Sequence, residues 1–313
     1  MGFRNRRCEA VALAAALVLA GGCSRVEQTK KLEIVLVVKA LDSEFWQRLK
    51  SGAEAAARAD PGVKFAVLAP EREINIDQQV AILEDQVLKK VSALAVAPAG
   101  VAEVVPVLEK AKAAGIPVVI VDTDVPWPSR VSFVGIDNRL GGRLAGEYVL
   151  RAIGGQGKVA VIRGVMGVAT QDDRLAGFRE VIAQAPGVQY VAAQPANSER
   201  ALGMSVMENL LTLHRDLRAV FATNDQMALG AMEAIAARNL TGKIVLVGFD
   251  ATREAVRAVQ AGRMSAVMAQ YAEAIGRRAI EEAIKAARAQ PVEKRVDIGT
   301  ALVTKENAGE FLR

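Results

Sequence analysis

Short apolar runs alternate with longer helical segments along most of this chain. The first run, Leu32 to Val38, consists almost entirely of leucine and β-branched residues, which is typical of a strand covered on both faces. A helix predicted over 44–59 follows it, and Asp60-Pro61-Gly62 ends that helix before the next run. The same unit recurs as far as residue 250. Because consecutive parallel strands are joined by right-handed helical crossovers, the alternation predicts a doubly wound parallel α/β sheet.

The length indicates two such lobes. A chain of 313 residues with 51% apolar content exceeds one average domain and can bury ample core. The strand and helix pattern restarts after residue 135, with a helix predicted over 138–153 and a glycine-rich turn over 154–157. The predicted fold class is therefore α/β with two doubly wound, Rossmann-like lobes. Periodicity alone assigns the segment after residue 265 to neither lobe.

The N-terminal segment has the pattern of an export signal. Arginines between positions 4 and 7 precede an apolar run over 11–20, and two glycines then lead to Cys23. The apolar run is too short to span a bilayer. The arrangement resembles a bacterial lipoprotein signal, in which Cys23 would carry the lipid; a signal peptide cleaved at the end of the apolar run is the alternative. We predict a signal or lipoprotein segment over 1–23 and a polar tether over 24–31.

Composition excludes several kinds of chemistry. The two cysteines, Cys8 and Cys23, both lie in the predicted signal, so the exported part has no disulfide. The formal charge of +5 falls to +3 when residues 1–22 and their three Arg and one Glu are removed, and no basic face predicts a nucleic-acid partner. The single histidine, His214, is expected to end a helix rather than to act in catalysis. Without glycine-rich nucleotide motifs, we expect no cofactor and no metal.

Polar clusters directly follow three of the predicted strands. They occupy 121–124, 223–226 and 248–250. In open α/β sheets ligands bind beyond the carboxyl ends of the strands, and Phe45 and Trp46 follow the first strand on that same edge. Carboxylates and amides exchange hydrogen bonds with hydroxyl groups, and an aromatic ring covers the apolar side of a sugar. The combination indicates a site that binds a small carbohydrate without any need for catalysis.

Some of these residues also have structural interpretations. Asp225 is predicted to cap the helix over 225–238 rather than to contact a ligand, and Asp172 with its neighbour suits the first turn of a helix. Trp127 either packs its own loop or covers the site as a lid. An enzyme that acts on glycosides with Asp122 and Asp250 as paired carboxylates stays open as an alternative.

Six segments carry a family resemblance. They are Leu41 to Trp46, Ala114 to Val118, Asp137 to Gly142, Gln194 to Ala196, Val220 to Ala231 and Val247 to Asp250. In order and spacing, the chain from about 32 to 304 resembles the ribose/galactose-type periplasmic sugar-binding proteins of ABC transporters, and within them the ribose-binding branch. The resemblance implies two lobes joined by crossings near residues 136, 270 and 298. One lobe would contain 32–136 with 271–298, and the other 137–270 with 299–313.

The resemblance also implies a set of ligand-binding residues. Matched positions suggest an aromatic clamp, polar contacts from each lobe and one contact at the hinge. These residues are Phe45, Trp46, Asp122, Asn224, Asp250 and Gln270.

Four further positions depart from the ribose-binding pattern. Ser43 replaces Asn, Thr123 and Asp172 each replace Arg, and Ser198 replaces an aromatic residue; the first three complete the predicted site. Lost guanidinium groups and a gained carboxylate predict a more acidic and roomier pocket. We therefore expect a neutral or cationic monosaccharide or polyol rather than ribose, with Arg174 as the one arginine able to reach inward.

The implied function is that of the binding component of a sugar importer. The lobes would close around the ligand, and the exported monomer, periplasmic or anchored at the cell surface, would present it to an ABC permease with its ATPase. A sugar sensor that docks to a chemoreceptor or sensor kinase is the alternative. A DNA-binding regulator of the same fold is disfavoured, because it needs a helix-turn-helix ahead of the first strand, which here begins at Leu32 behind the signal.

Overall fold

The computed structural model describes residues 31–312. The predicted signal segment, its lipidation site Cys23 and the tether as far as residue 30 lie outside the described residues. Two six-stranded sheets with helices on both faces form the two lobes, which confirms the predicted fold class. Among the helices of this part of the chain, none is long and apolar enough to cross a membrane.

Strands and helices alternate along the chain as the sequence predicts. The first part contains β1 (Leu32–Val37), α1 (Glu44–Arg58), β2 (Val63–Leu68), α2 (Ile76–Leu88), β3 (Ala93–Val96), α3 (Val101–Ala113), β4 (Val118–Val121), β5 (Ser132–Gly135) and α4 (Asn138–Ala152). The middle part contains β6 (Gly157–Arg163), α5 (Ala169–Ile182), β7 (Val188–Pro195), α6 (Arg200–Leu213), β8 (Leu217–Ala222), α7 (Asp225–Ala237) and β9 (Val245–Asp250). The last part contains α8 (Arg253–Gln260), β10 (Ala266–Gln270), α9 (Ala272–Ala287), β11 (Arg295–Asp297), β12 (Thr300–Val303) and a short 3-10 helix, Ala308–Glu310.

The two sheets have the same strand order. The first is β11-β5-β4-β3-β1-β2 and is parallel throughout; the second is β12-β10-β9-β8-β6-β7, in which only β12 runs antiparallel to its neighbour. Strands β3, β4 and β5 are buried along their whole length, as expected for strands covered by helices on both faces. Strands β4 and β9 therefore occupy equivalent positions in the two lobes.

The chain passes between the lobes three times. The first passage follows β5, the second lies at Tyr271 between β10 and α9, and the third lies at 298–299 between β11 and β12. Helix α9 packs against α1 and the strands of the first sheet, so the C-terminal part of the chain contributes to both lobes.

Helices α1 and α9 approach each other so closely that only glycine fits at their contact. A Cβ atom on Gly276 would lie 1.9 Å from the carbonyl oxygen of Leu49, and one on Gly52 would lie 1.9 Å from the carbonyl oxygen of Glu273. Atoms in protein interiors do not approach to that distance without backbone movement. This reciprocal glycine contact attaches α9 to the first lobe.

Helix α8 is the one α-helix of the described chain that the sequence analysis did not predict. Thr252 caps it, because its side chain accepts a hydrogen bond from the backbone N–H of Ala255. The helix buries Ala255, Val256, Ala258 and Val259. This spacing with a threonine cap is the pattern that identifies a short amphipathic helix.

Candidate functional site

A cleft lies between the lobes at the carboxyl ends of both sheets. The space between its walls, with its open mouth included, is about 300 Å³. Its lining residues are Lys39, Ser43, Phe45, Trp46, Glu73, Asp122, Thr170, Gln171, Arg174, Asn224, Asp250 and Gln270. Seven of the nine ligand-binding residues predicted from the sequence are thus brought together; Thr123 and Asp172 are not among the lining residues.

Asp122 and Asp250 occupy matching places in the two lobes. Asp122 directly follows β4 and Asp250 ends β9, and both have a positive backbone φ, 60° and 113° respectively. Such conformations are costly for residues other than glycine and persist where the surrounding structure enforces them, often at functional sites. Both side chains line the cleft, so each lobe contributes one carboxylate to it.

Arg174 supplies a buried guanidinium to the second-lobe wall, as the sequence analysis expected of the one arginine able to reach inward. Arg174 is 2% exposed, and its guanidinium carbon lies 3.7 Å from the centroid of the Phe249 ring. Its Nε donates to Asn138 Oδ1 at 2.8 Å, and Nη1 donates to the carbonyl of Thr223 at 2.7 Å. Nη1 also lies 3.5 Å from Asp250 Oδ1. Arg174 fixes the position of Asp250 while it lines the cleft itself.

Asp172 lies outside the cleft, which corrects its predicted role. Its side chain is 49% exposed and pairs with Arg163 at the end of β6. Helical residues two positions apart point in directions about 200° apart, so when Arg174 faces the cleft from α5, Asp172 faces away. The acidic contribution expected from Asp172 is absent from the described cleft.

The hydroxyl of Thr123 acts on Asp122 rather than on the cleft. Thr123 Oγ1 donates to Asp122 Oδ2 at 2.8 Å. Lys39 Nζ lies 3.4 Å from the same oxygen, and both Lys39 and Asp122 are buried. The sequence analysis missed Lys39, although a lysine directly after the apolar run from Ile34 to Val38, at the ligand-side end of β1, is a pattern that could have identified it.

The first-lobe wall is aromatic. The rings of Phe45 and Trp46 lie edge to face, with centroids 4.9 Å apart. Trp46 Nε1 donates to Glu73 Oε1 at 2.8 Å. Ser43 occupies the N-cap position of α1 without making a side-chain capping bond, which leaves its hydroxyl for the cleft.

Asn224, and not Asp225, caps α7. Asn224 Oδ1 accepts from the backbone N–H of Met227 at 3.0 Å, so the predicted capping role of Asp225 is wrong by one position. Asp225 is fully buried, and its Oδ2 accepts from the N–H and the hydroxyl of Thr252 at 2.7 and 2.9 Å. Burial raises the pKa of the Asp225 carboxyl well above its usual value, and the nearby Asp250 raises it further.

Asp250 is hydrogen-bonded on one oxygen. Gln270 Nε2 donates to Asp250 Oδ1 at 2.6 Å, the oxygen that also faces Arg174. Burial raises the pKa of Asp250 to about 7, although Arg174 and the hydrogen bond from Gln270 act in the opposite direction. Without a ligand, the closed cleft therefore favours a protonated Asp250 at mildly acidic pH.

This pKa predicts that the ligand-free protein loses stability as pH rises. A carboxyl whose folded pKa exceeds its unfolded value binds more protons when folded, so its contribution is present below about pH 4 and lost as pH passes about 7. We expect Asp250 to account for a fall on the order of 2 to 4 kcal/mol in the free energy of unfolding across that window. Urea unfolding at pH 5 and pH 8 measures it. Asp250→Asn should make the dependence shallower, with the remainder coming from Asp225, whose raised pKa acts in the same direction; parallel wild-type and variant profiles would contradict the assignment.

Two polar contacts cross the mouth of the cleft. The backbone N–H of Arg253, at the start of α8, donates to both carboxylate oxygens of Glu44 at 2.9 and 3.0 Å. Arg72 of the first lobe pairs with Glu199 of the second. Since each contact joins the lobes, the structure shows the closed arrangement.

Trp127 is buried in the core of the first lobe. It is 2% exposed, and its Nε1 donates to Glu109 Oε1 of α3 at 2.6 Å. The packing role therefore extends beyond its own loop, and Trp127 is not among the lining residues of the cleft. His214 ends α6 as expected.

Comparison with known proteins identifies the family. Residues 34–291 match the model of the family described as periplasmic binding protein domain. The chain belongs to this family. The ribose import binding protein RbsB of Escherichia coli is 34% identical over 275 residues, which cover 87% of this chain and 90% of the relative. The ribose-type periplasmic binding protein predicted from the sequence is confirmed.

Solved structures of other family members share the two-lobed fold. The solute binding protein of an ABC transporter from Agrobacterium vitis, with bound D-fucose, superposes with a TM-score of 0.86 at 31% identity, covering 88% of this chain and 96% of that one. A periplasmic solute binding protein from Actinobacillus succinogenes, with bound D-allose, has a TM-score of 0.83 at 31% identity, covering 90% and 100%. The close agreement extends over both lobes.

Proposed function

We propose that the cleft binds one neutral or cationic monosaccharide or polyol, and that the protein delivers it unchanged to an ABC permease with its ATPase. The observation that carries the proposal is the pair Asp122 and Asp250, which present one carboxylate from each lobe to a single cleft beside an aromatic wall. The relatives support it, because one is named a ribose import binding protein and the two solved structures contain bound D-fucose and bound D-allose.

The cleft chemistry matches a polyhydroxylated ligand. Carboxylates accept hydrogen bonds from hydroxyl groups, Arg174 and Lys39 donate to hydroxyl oxygens, and the Trp46 ring suits an apolar sugar face. Gln270 Oε1 is buried and has no hydrogen-bond partner within residues 31–312, as expected of a group that contacts the ligand. Each hydrogen bond to a charged group contributes about 1.5 to 3 kcal/mol, so a few suffice for micromolar affinity, about 8 kcal/mol.

The charge of the cleft favours neutral or cationic ligands. Three carboxylates, Asp122, Asp250 and Glu73, face two cations, Lys39 and Arg174. Each cation already has a carboxylate partner, Asp122 for Lys39 and Asp250 for Arg174. An anionic sugar acid would add a further negative charge to this set, which is unfavourable in a poorly solvated cleft.

Closure couples binding to transport. Ligand contacts from both lobes form together only in the closed arrangement, so the ligand shifts the equilibrium toward it. The three passages between the lobes, near residues 136, 270 and 298, would act as the hinge. The contacts of Glu44 with Arg253 and of Arg72 with Glu199 would break on opening. The cleft is complete within one chain, and we propose that the protein acts as a monomer.

Family membership implies export to the periplasm, and the finer proposal is a lipid anchor at Cys23. The cysteine after the apolar run supports it. In an expressing bacterium, the wild-type protein should be recovered with membranes and Cys23→Ala should be released. Equal release of both proteins would contradict the anchor without affecting the sugar site.

A thermal-shift screen tests the binding proposal. A ligand at one hundred times its Kd should add about 2.7 kcal/mol to the free energy of unfolding. We expect a response to one or a few of D-allose, D-fucose, D-ribose, D-glucosamine and myo-inositol, and none in Asp250→Ala or Asn224→Ala. Tighter binding of a uronic acid than of its parent sugar would contradict the proposed charge preference.

A further inference from the structure

Glu73 is a charged residue of the cleft that neither the sequence motifs nor the family resemblance identified. It lies between β2 and α2 and faces the same cleft as Arg174 and Asp250 of the other lobe. Its Oε1 accepts a hydrogen bond from Trp46 Nε1 at 2.8 Å. In the sequence, Glu71-Arg72-Glu73 has the composition of a solvated loop, which is why the residue was not selected.

Trp46, the donor to Glu73, is held on several sides. It is 2% exposed, and the edge-to-face contact with Phe45 orients its ring. The Nζ atom of Lys39 lies 5.6 Å from the centroid of the same ring. Because the indole is fixed, its N–H fixes the carboxylate of Glu73 in turn. The other oxygen, Oε2, accepts no hydrogen bond from any residue of the described chain.

The carboxylate of Glu73 acts across the cleft on the second lobe. Burial raises the pKa of Asp250, and the negative charges of Asp122 and Glu73 raise it further. The cleft thus places an acceptor with one unused oxygen opposite the residues that hold the ligand from the other side.

We propose that Glu73 is a specificity-determining residue: Trp46 positions its carboxylate so that Oε2 accepts a hydrogen bond from a hydroxyl or ammonium group of the ligand. The inference rests on the proposed sugar-binding function. An ionised carboxylate is an acceptor only, so a ligand without a donor at that point leaves a partly desolvated charge unpaired. Such mismatches reduce affinity by about 10-fold to 100-fold.

Calorimetric titration of the exported, purified protein tests this role. The probes are D-allose, D-galactose, D-glucose, D-ribose and myo-inositol, with the analogues D-fucose, 2-deoxy-D-glucose, 2-deoxy-D-ribose and D-glucosamine. For the tightest probe, Glu73→Gln should weaken binding about 10-fold or more and should bring at least one parent sugar and its deoxy analogue within about threefold of each other. Glu71→Gln is the matched control, since Glu71 lies exposed two residues earlier, and it should change Kd less than twofold.

Trp46→Phe tests the positioning separately. It keeps an aromatic ring and removes the N–H that holds Glu73. In this background Glu73→Gln should raise Kd by a factor at least three times smaller than in the wild type, because the carboxylate is no longer fixed. Equal costs in both backgrounds would overturn the positioning by Trp46.

The outcomes separate this inference from the function beneath it. If Glu73→Gln behaves like Glu71→Gln while Asp250→Asn abolishes binding, the role of Glu73 is overturned and the sugar site stands. If Glu73→Gln weakens all probes equally, without changing their ratios, its role in specificity is overturned. If the wild type binds none of the probes, the proposed function fails, and the inference fails with it.

Discussion

Arg174→Met is expected to abolish sugar binding and to lower the free energy of unfolding by about 3 to 5 kcal/mol. The guanidinium is fully buried over Phe249 and satisfies both Asp250 and the carbonyl of Thr223. Methionine fills part of the volume but leaves Asp250 without its cation, so the buried carboxyl must either stay charged and unpaired or take up a proton, and the carbonyl of Thr223 loses its donor. Urea unfolding and calorimetric titration with the sugar selected by the thermal-shift screen measure the two effects.

Two controls make this result specific. Arg139→Met removes an exposed arginine that pairs with Glu180 on the helix surface, and it should cost less than about 1 kcal/mol. Adding Asp250→Asn to Arg174→Met removes the stranded charge, so it should restore part of the stability without restoring binding. A variant at Arg174 that binds sugar with wild-type affinity would contradict the architecture described for the second-lobe wall.

Gly276→Ala is expected to lower the melting temperature by about 4 to 8 °C. The added Cβ would lie 1.9 Å from the carbonyl oxygen of Leu49, so helices α1 and α9 must separate. Overpacking of this kind costs about 3 kcal/mol, and alanine's better helix propensity offsets only about 1 kcal/mol. In a domain of this size each kcal/mol lowers the midpoint by about 2 to 4 °C. Thermal denaturation followed by circular dichroism measures the change.

The control for this substitution is Gly309→Ala. A Cβ at Gly309 meets no atom within 4 Å, and the change should shift the midpoint by about 1 °C or less. If both alanine variants melt together with the wild type, the close α1–α9 contact is not a property of the protein in solution, and the assignment of α9 to the first lobe loses its support.

Most of the fold was predictable because its elements have simple periodicities. Apolar runs such as β1 and β4 have the composition of doubly covered strands, and Pro61-Gly62 marks the end of a helical segment. Helix α8 was missed because it is short and lies between two strands, so only its threonine cap distinguishes it from a loop. Periodicity did not assign α9 to a lobe, since its apolar face fits either sheet; the family resemblance was needed.

The site was predictable where chemistry is tied to strand ends, and not where it depends on helix phase or long-range contacts. Asp122 and Asp250 follow strands and line the cleft. The sequence analysis placed Asp172 in the cleft, whereas Arg174, two residues later, lines it. Two positions along a helix are enough to reverse the direction of a side chain. The position of Glu73 in the cleft depends on a hydrogen bond from Trp46, 27 residues away. A contact between residues so far apart leaves no pattern in the sequence, so Glu73 was not predicted.

Equilibrium dialysis of the exported protein tests whether a single cleft binds a carbohydrate and releases it unaltered. The protein is dialysed against an equimolar mixture of D-ribose, D-allose, D-fucose, D-galactose, D-glucosamine and myo-inositol, and the retained compounds are identified by chromatography after denaturation. We predict selective retention of one or two intact sugars at no more than one molecule per chain, and no retention by Asp250→Asn. Retention of no sugar, equal retention by the variant, or recovery of a chemically altered sugar would contradict it.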